Sequence, residues 1–176
     1  APTFSLDDRS AWALQILEER GYRYDSSIFP LRTPLYGHQS CPAAPYRPSP
    51  QALTSDHPER SGCLEFPMTA YHLGDLAIPI SGGVYLRMLP SPLWLYLLSR
   101  TNAQGRPFVI YVHPWETDPA TPRVRKLNPV DRLITYYNLG GTLRKLEALL
   151  RSYRLGPLRQ VLGLNEARRA VAGAVT

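Results

Sequence analysis

An α/β fold is predicted by three observations. Phe108-Val109-Ile110-Tyr111-Val112-His113 is β-branched and aromatic and apolar on both faces, as in a buried parallel strand. Leu143, Leu146, Leu149 and Leu150 recur at helical spacing, with Arg144, Lys145 and Arg151 off that face. Strand-like and helix-like segments alternate along the chain, the pattern of an α/β layer or barrel.

The elements follow in order. Ser5 suits an N-cap, with Asp8 three residues on, for a helix whose Trp12, Ile16 and Leu17 share one face. Gly21 closes that helix. Tyr22-Arg23-Tyr24-Asp25-Ser26-Ser27 reads as a short strand and a polar turn. Residues 31–60, with Pro42, Pro45, Pro48 and Pro50, admit neither continuous helix nor central strand and form a long irregular excursion. Residues 63–67 and 76–80 read as short strands, separated from the next segment, 85–89, by the Ser81-Gly82-Gly83 loop. A helix starts near Pro90 and Pro92 and runs to about Arg100. Pro114 stops the 108–113 strand, 143–153 is helix, 158–162 a last short strand, and 165–176 a weak helix or tail.

The chain has 176 residues, enough for one domain with a sizeable core. With 44% hydrophobic and 19% charged residues, wholesale disorder is excluded. No apolar run reaches the roughly 18 residues of a membrane span. Residues 1–8 hold no basic and then apolar leader, which favours the cytoplasm. The net charge is +6, but the basic residues are dispersed and no nucleic-acid-binding signature is present, so nucleic acid is not the expected partner. Cys41 and Cys63 read as buried or loop thiols or a single pair, and the four histidines form no metal motif of their own.

Four stretches have the residue types for chemistry. His113-Pro114-Trp115-Glu116 ends the best strand, where α/β folds place ligand-binding groups, and histidine suits proton transfer near neutrality. The alternative is a histidine that simply ends the strand on a loop carbonyl. Ser81-Gly82-Gly83-Val84-Tyr85-Leu86-Arg87 offers a close backbone approach, a stacking face and a fork of donors, or else a tight turn between two strands. Tyr24-Asp25-Ser26-Ser27 is a turn or a minor site element. Asp131-Arg132 with Tyr136-Tyr137-Asn138-Leu139 reads equally as a sugar-lining group or as core plus cap.

Gly21-Tyr22-Arg23-Tyr24-Asp25-Ser26-Ser27-Ile28-Phe29-Pro30, Ser81-Gly82-Gly83-Val84-Tyr85-Leu86-Arg87 and Tyr111-Val112-His113-Pro114-Trp115-Glu116 occur in that order, followed by Pro122-Arg123 and residues 136–139. Together they resemble the polysaccharide deacetylases of the family-four carbohydrate esterases. The similarity is greatest to the bacterial branch found with exosortase-type exopolysaccharide loci, which carries its own C-terminal extension. The resemblance covers residues 1–162 and leaves 163–176 as a tail.

The resemblance implies a distorted, incomplete β/α barrel, of which this chain is the C-terminal portion. It implies hydrolysis of N-acetyl groups on a hexosamine polymer by a divalent metal, commonly zinc, held by one Asp and two His. An Asp is the base and a His the acid. His113 matches that acid, while Tyr111 stands where many relatives have Leu. Ala1-Pro2-Thr3-Phe4-Ser5 matches the tail of an Arg-Ala-Pro-x-Phe-Ser motif, so the metal and base motifs are expected in a portion preceding Ala1. Asp7-Asp8 falls after that element and does not replace them. Tyr85, Arg87 and Trp115 are the expected substrate contacts, and Asp25 an orienting group. The expected partners are a polysaccharide with N-acetylated amino sugars and the preceding portion, with exposed strand edges where that portion packs. Two other classes of function compete: a non-catalytic saccharide module using Gly82, Gly83, Tyr85, Arg87 and Trp115, and anionic-polymer binding through the basic surface.

Overall fold

The computed structural model describes residues 4–33, 37–74 and 76–164, so residues 1–3 and the expected tail at 165–176 lie outside the described residues. Near the N-terminus, Ser5 bridges Ile28 and the Leu6 N–H donates to the Ser27 carbonyl. That bridge occupies Ser5, so the expected N-cap is not there. Asp7 instead accepts the N–H groups of Arg9 and Ser10 and turns the chain into helix α1, Trp12–Glu19. The buried face of this region is Leu6, Ala11 and Leu14. The expected face is a correction: Trp12 is 63% and Ile16 46% exposed. Two apolar stripes run along this helix, and the body packs on the smaller one. Gly21, at φ +76°, ends the helix as expected, in the left-handed region that glycine enters freely.

Strand β1, Tyr24–Asp25, pairs in parallel with β2, Leu64–Glu65. Between them the described part of the 31–60 excursion holds turns and isolated bridges only, yet it is packed. Cys41, Tyr46 and Leu53 join Leu6, Leu14 and Ile28 in one core, where the Tyr46 hydroxyl and the Cys41 thiol both donate to the Leu53 carbonyl. Both cysteines are free and buried. Burial pushes the Cys63 thiol up to about 12, so neither sulfur is a ready nucleophile.

Strands β3, Ala70–Leu73, and β4, Leu76–Pro79, form an antiparallel hairpin in the register Ala70↔Pro79 to Leu73↔Leu76. The two described sheets thus have two strands each. Helix α2, Gly83–Met88, follows directly, where a turn between two strands was one expectation. Gly82, at φ +90°, turns the chain, and its carbonyl accepts the Leu86 N–H. Helix α3, Ser91–Ala103, opens with Pro90 and Pro92 as expected and buries Trp94, whose indole N–H donates to the Ile80 carbonyl.

Residues 108–113 are extended but join no ladder among the described residues, which corrects the expected paired strand. The Thr69 hydroxyl stands in for a neighbouring strand: it donates to the Val109 carbonyl and accepts the Val109 N–H. The two apolar faces have a clear cause. Phe108, Ile110 and Val112 pack on the core of Ile80, Leu86, Trp94, Leu98 and Leu149. Val109 and Tyr111 pack on a second core of Phe29, Leu31, Met68 and Ala70. The segment is apolar on both sides because it runs between two cores.

A 3-10 turn, Pro114–Thr117, leads toward helix α4, Pro129–Tyr136, which the Asn128 side chain caps by accepting the Asp131 N–H. Helix α5, Thr142–Ser152, falls where the leucine spacing predicts it. Its buried face differs: Lys145 is buried, while Leu143 and Leu150 are exposed. Lys145 turns inward because its ammonium donates to the Leu86, Arg87 and Leu89 carbonyls at the end of α2. Residues 158–161 form a short helix, α6, Leu158–Val161, and not the expected strand. Among the described residues no helix is long and apolar enough to cross a membrane.

Candidate active site

The site begins with a spacing. Extended residues i and i+2 share a face, so Tyr111 and His113 point the same way. Their rings meet edge to face at 4.6 Å, and the Tyr111 hydroxyl lies 2.6 Å from His113 Nε2. Phe4 meets the other side of Tyr111 edge-on, with centroids 5.1 Å apart.

Pro114 then ends the extended run and the chain turns back. His113 takes the position before the 3-10 turn, and Glu116 follows three residues later, the spacing of a helix-capping glutamate. The Glu116 carboxylate accepts the His113 N–H at 2.9 Å through Oε2, and the same oxygen faces His113 Nδ1 at 3.4 Å. Its other oxygen accepts from Arg87 Nη2 at 2.9 Å.

Glu116 is 2% and Arg87 1% exposed, so this is a buried ion pair. Such a pair is tolerable only when its remaining donors and acceptors are satisfied. Arg87 meets that demand: it also donates to the carbonyls of Gly83, Ile134, Thr135 and Tyr137. Gly83 lets the carboxylate in, because a Cβ there would collide with both Glu116 oxygens.

Above this pair lies a cavity of about 240 Å³, with Phe4, Phe29, Tyr85, Tyr111, His113 and Trp115 in its wall. Phe29 and Tyr85 lean together at 6.3 Å, and the His113 and Trp115 rings stack at 5.9 Å. The volume holds one sugar-sized group and falls below the roughly 300–1,000 Å³ of drug-sized pockets.

His113, Tyr85 and Trp115 are therefore brought together around one cavity. Arg87 is not at the surface of the cavity. Its guanidinium is consumed by Glu116 and main-chain carbonyls, so it shapes the wall and does not touch a ligand. It reaches the cavity only through residues that line it, Glu116, Gly83, Ile134 and Thr135, and lies 5.7 Å from the Trp115 ring.

Asp25 is likewise elsewhere. Its charge, after burial itself, raises the Glu65 carboxyl to about 8, against the pull of the Ser27 and Ile28 N–H groups. Tyr136 and Asn138 are core and cap: the Tyr136 hydroxyl donates to the Pro122 carbonyl, and Asn138 donates to the Arg87 carbonyl. Sequence reasoning assigned no part to Glu116, Tyr111 or Phe4. The His-x-x-Glu spacing and the Tyr-x-His alternation were the available signals for the first two.

Chemically, the arrangement is a proton carrier. In the tautomer with its hydrogen on Nδ1, that hydrogen faces the Glu116 carboxylate, which only accepts, and Nε2 accepts from the Tyr111 hydroxyl. Among the described residues no group of three or more His, Cys, Asp or Glu side chains is arranged to hold a metal ion.

A buried Arg–Glu pair that orients a histidine beside an aromatic cavity defines a candidate proton-transfer site. The chain belongs to the family described as a domain of unknown function, DUF3473, whose model matches residues 26–163 and so includes the whole Arg87–Glu116–His113 arrangement. No curated protein and no solved structure matches the chain.

Proposed function

We propose that this chain supplies the proton-donating side of a polysaccharide de-N-acetylase acting on an N-acetylhexosamine polymer in exopolysaccharide metabolism. In this reading it is the C-terminal portion of an incomplete β/α barrel, and the metal and base come from residues with no counterpart here. The observation that carries the reading is His113 itself. It lines an aromatic cavity, with Nδ1 toward buried Glu116 and Nε2 against the hydroxyl of Tyr111, which lines the same cavity.

The work of this chain's residues follows from that geometry. Tyr85 and Trp115 offer flat faces to the apolar side of a sugar ring. Arg87 holds the Glu116 carboxylate in place, and Glu116 holds the imidazole. When the amide C–N bond breaks, the leaving amine needs a proton, and His113 is the group that holds one.

The test is acetate release from N-acetylhexosamine oligomers by the polypeptide as the cell makes it. His113→Ala is expected to lower the rate by about 10²–10⁴. Equal rates remove His113 as donor, and no acetate from either protein removes the reaction.

A second reading is a non-catalytic saccharide-binding module, favoured by the partly exposed Trp115 at the cavity rim. It predicts glycan binding that Trp115→Ala abolishes and His113→Ala leaves intact.

A further inference from the structure

Nε2 of His113 has a phenol against it. The Tyr111 hydroxyl lies 2.6 Å from it, a short hydrogen bond for these atoms. Tyr111 also lines the cavity. Its ring is held from two sides, edge-on to Phe4 and edge-on to His113. Tyr111 also packs, with Val109, on the Phe29 and Met68 core. A group in the cavity therefore has the Tyr111 phenol beside it, in contact with Nε2.

We propose that Tyr111 is a further catalytic residue of this site, relaying the proton of His113 to the leaving nitrogen. This rests on the de-N-acetylase reading above. A phenol both donates and accepts, so it can pass a proton without holding a charge. As the amide C–N bond breaks, its electron pair goes to nitrogen. The Tyr111 O–H proton moves to that nitrogen, and the His113 Nε2–H proton moves to the Tyr111 oxygen. The imidazolium becomes neutral imidazole, the phenol is regenerated, and the amine leaves neutral. The buried Arg87–Glu116 pair anchors the far end of the same chain of contacts, at Nδ1.

The relay separates from a plain wall residue by two readouts on Tyr111→Phe, which keeps the ring and removes one oxygen. The first is the ¹⁵N spectrum of histidine-labelled protein, with the His113 signals identified by their loss in His113→Gln. In Tyr111→Phe the Nε2 resonance is expected to move toward that of a free imine nitrogen, while Nδ1 stays protonated and remote amide signals stay in place. An unmoved Nε2 resonance overturns the contact and with it the relay.

The second readout is acetate release. In Tyr111→Phe kcat is expected to fall about tenfold or more with KM unchanged, within the range of general acid catalysis. Equal kcat overturns the relay and leaves His113 as direct donor. If the wild-type protein releases no acetate, the de-N-acetylase reading fails, and the relay, which passes its proton to that leaving nitrogen, falls with it. The Nε2 resonance is independent of turnover and still decides whether Tyr111 covers the imidazole.

Discussion

The Glu116 carboxylate fills the space in which any side chain on residue 83 would have to stand, so Gly83 is a requirement of the buried pair. The constraint is space and not backbone angle, since Gly83 opens an ordinary helix. Arg87, one turn later, reaches both partners, donating to the Gly83 carbonyl and to Glu116. Gly83→Ala is expected to push the carboxylate off Arg87 and leave two buried charges poorly paired. The expected loss is about 3 kcal/mol by urea unfolding, the lower end of the cost of breaking a buried pair. A variant as stable as the parent would contradict the packing of Glu116 on Gly83.

The pair itself is open to a double-mutant cycle. Arg87→Met and Glu116→Gln each strand a buried polar partner, and each is expected to cost roughly 3–5 kcal/mol. The double variant should cost much less than the sum, since neither charge is then left alone. Additive losses would mean that the two side chains stabilise the fold separately.

Glu65 gives the fold a pH dependence. Burial, with Asp25 second, raises its carboxyl to about 8 from an ordinary 4.5. One oxygen accepts the Ser27 and Ile28 N–H groups, and the other has no hydrogen-bond partner among the described residues. Between pH 4.5 and 8 the folded chain therefore holds a proton that the unfolded chain has released. Stability from this group falls as pH rises through that window, by at most about 1.4 kcal/mol per unit. Glu65→Gln keeps an acceptor for the two N–H groups and removes the titration. Urea unfolding of Glu65→Gln across pH 5–8 is expected to show a flatter profile than the parent. Parallel profiles would place the pH dependence elsewhere.

Helix α1 tests which apolar stripe matters. Leu14→Ala is expected to cost about 2–5 kcal/mol as a core truncation. Trp12→Gln, on the exposed stripe, should change stability by about 0.5 kcal/mol or less. The reverse order in urea unfolding would restore the face that spacing alone suggests.

Much of the architecture was legible where local rules act alone. The Gly21 stop, the Pro90 and Pro92 helix start, the irregular Pro-rich stretch and the leucine-spaced α5 all follow from backbone chemistry or periodicity. What was illegible depends on partners far along the chain. Lys145 reads as a solvent-facing charge until the carbonyls at the end of α2 are placed beside it. Arg87 reads as a ligand-binding fork until Glu116, 29 residues later, and the carbonyls near α4 consume it. The 108–113 run has the composition of a central strand, but composition reports burial on two faces and not the identity of a ladder partner. At the site, His113 and the aromatic residues were visible as types. Their convergence came from Tyr-x-His alternation and His-x-x-Glu capping, two local spacings whose meaning depends on Pro114 turning the chain between them.

The central claim is that Glu116 orients His113 so that Nε2 is the nitrogen that exchanges protons on the cavity side. The most direct measurement is the tautomer of neutral His113, read from its two ¹⁵N shifts. The account predicts a protonated Nδ1 and an unprotonated Nε2 in the parent, with that preference lost in Glu116→Gln. A neutral parent imidazole with its proton on Nε2 would contradict it.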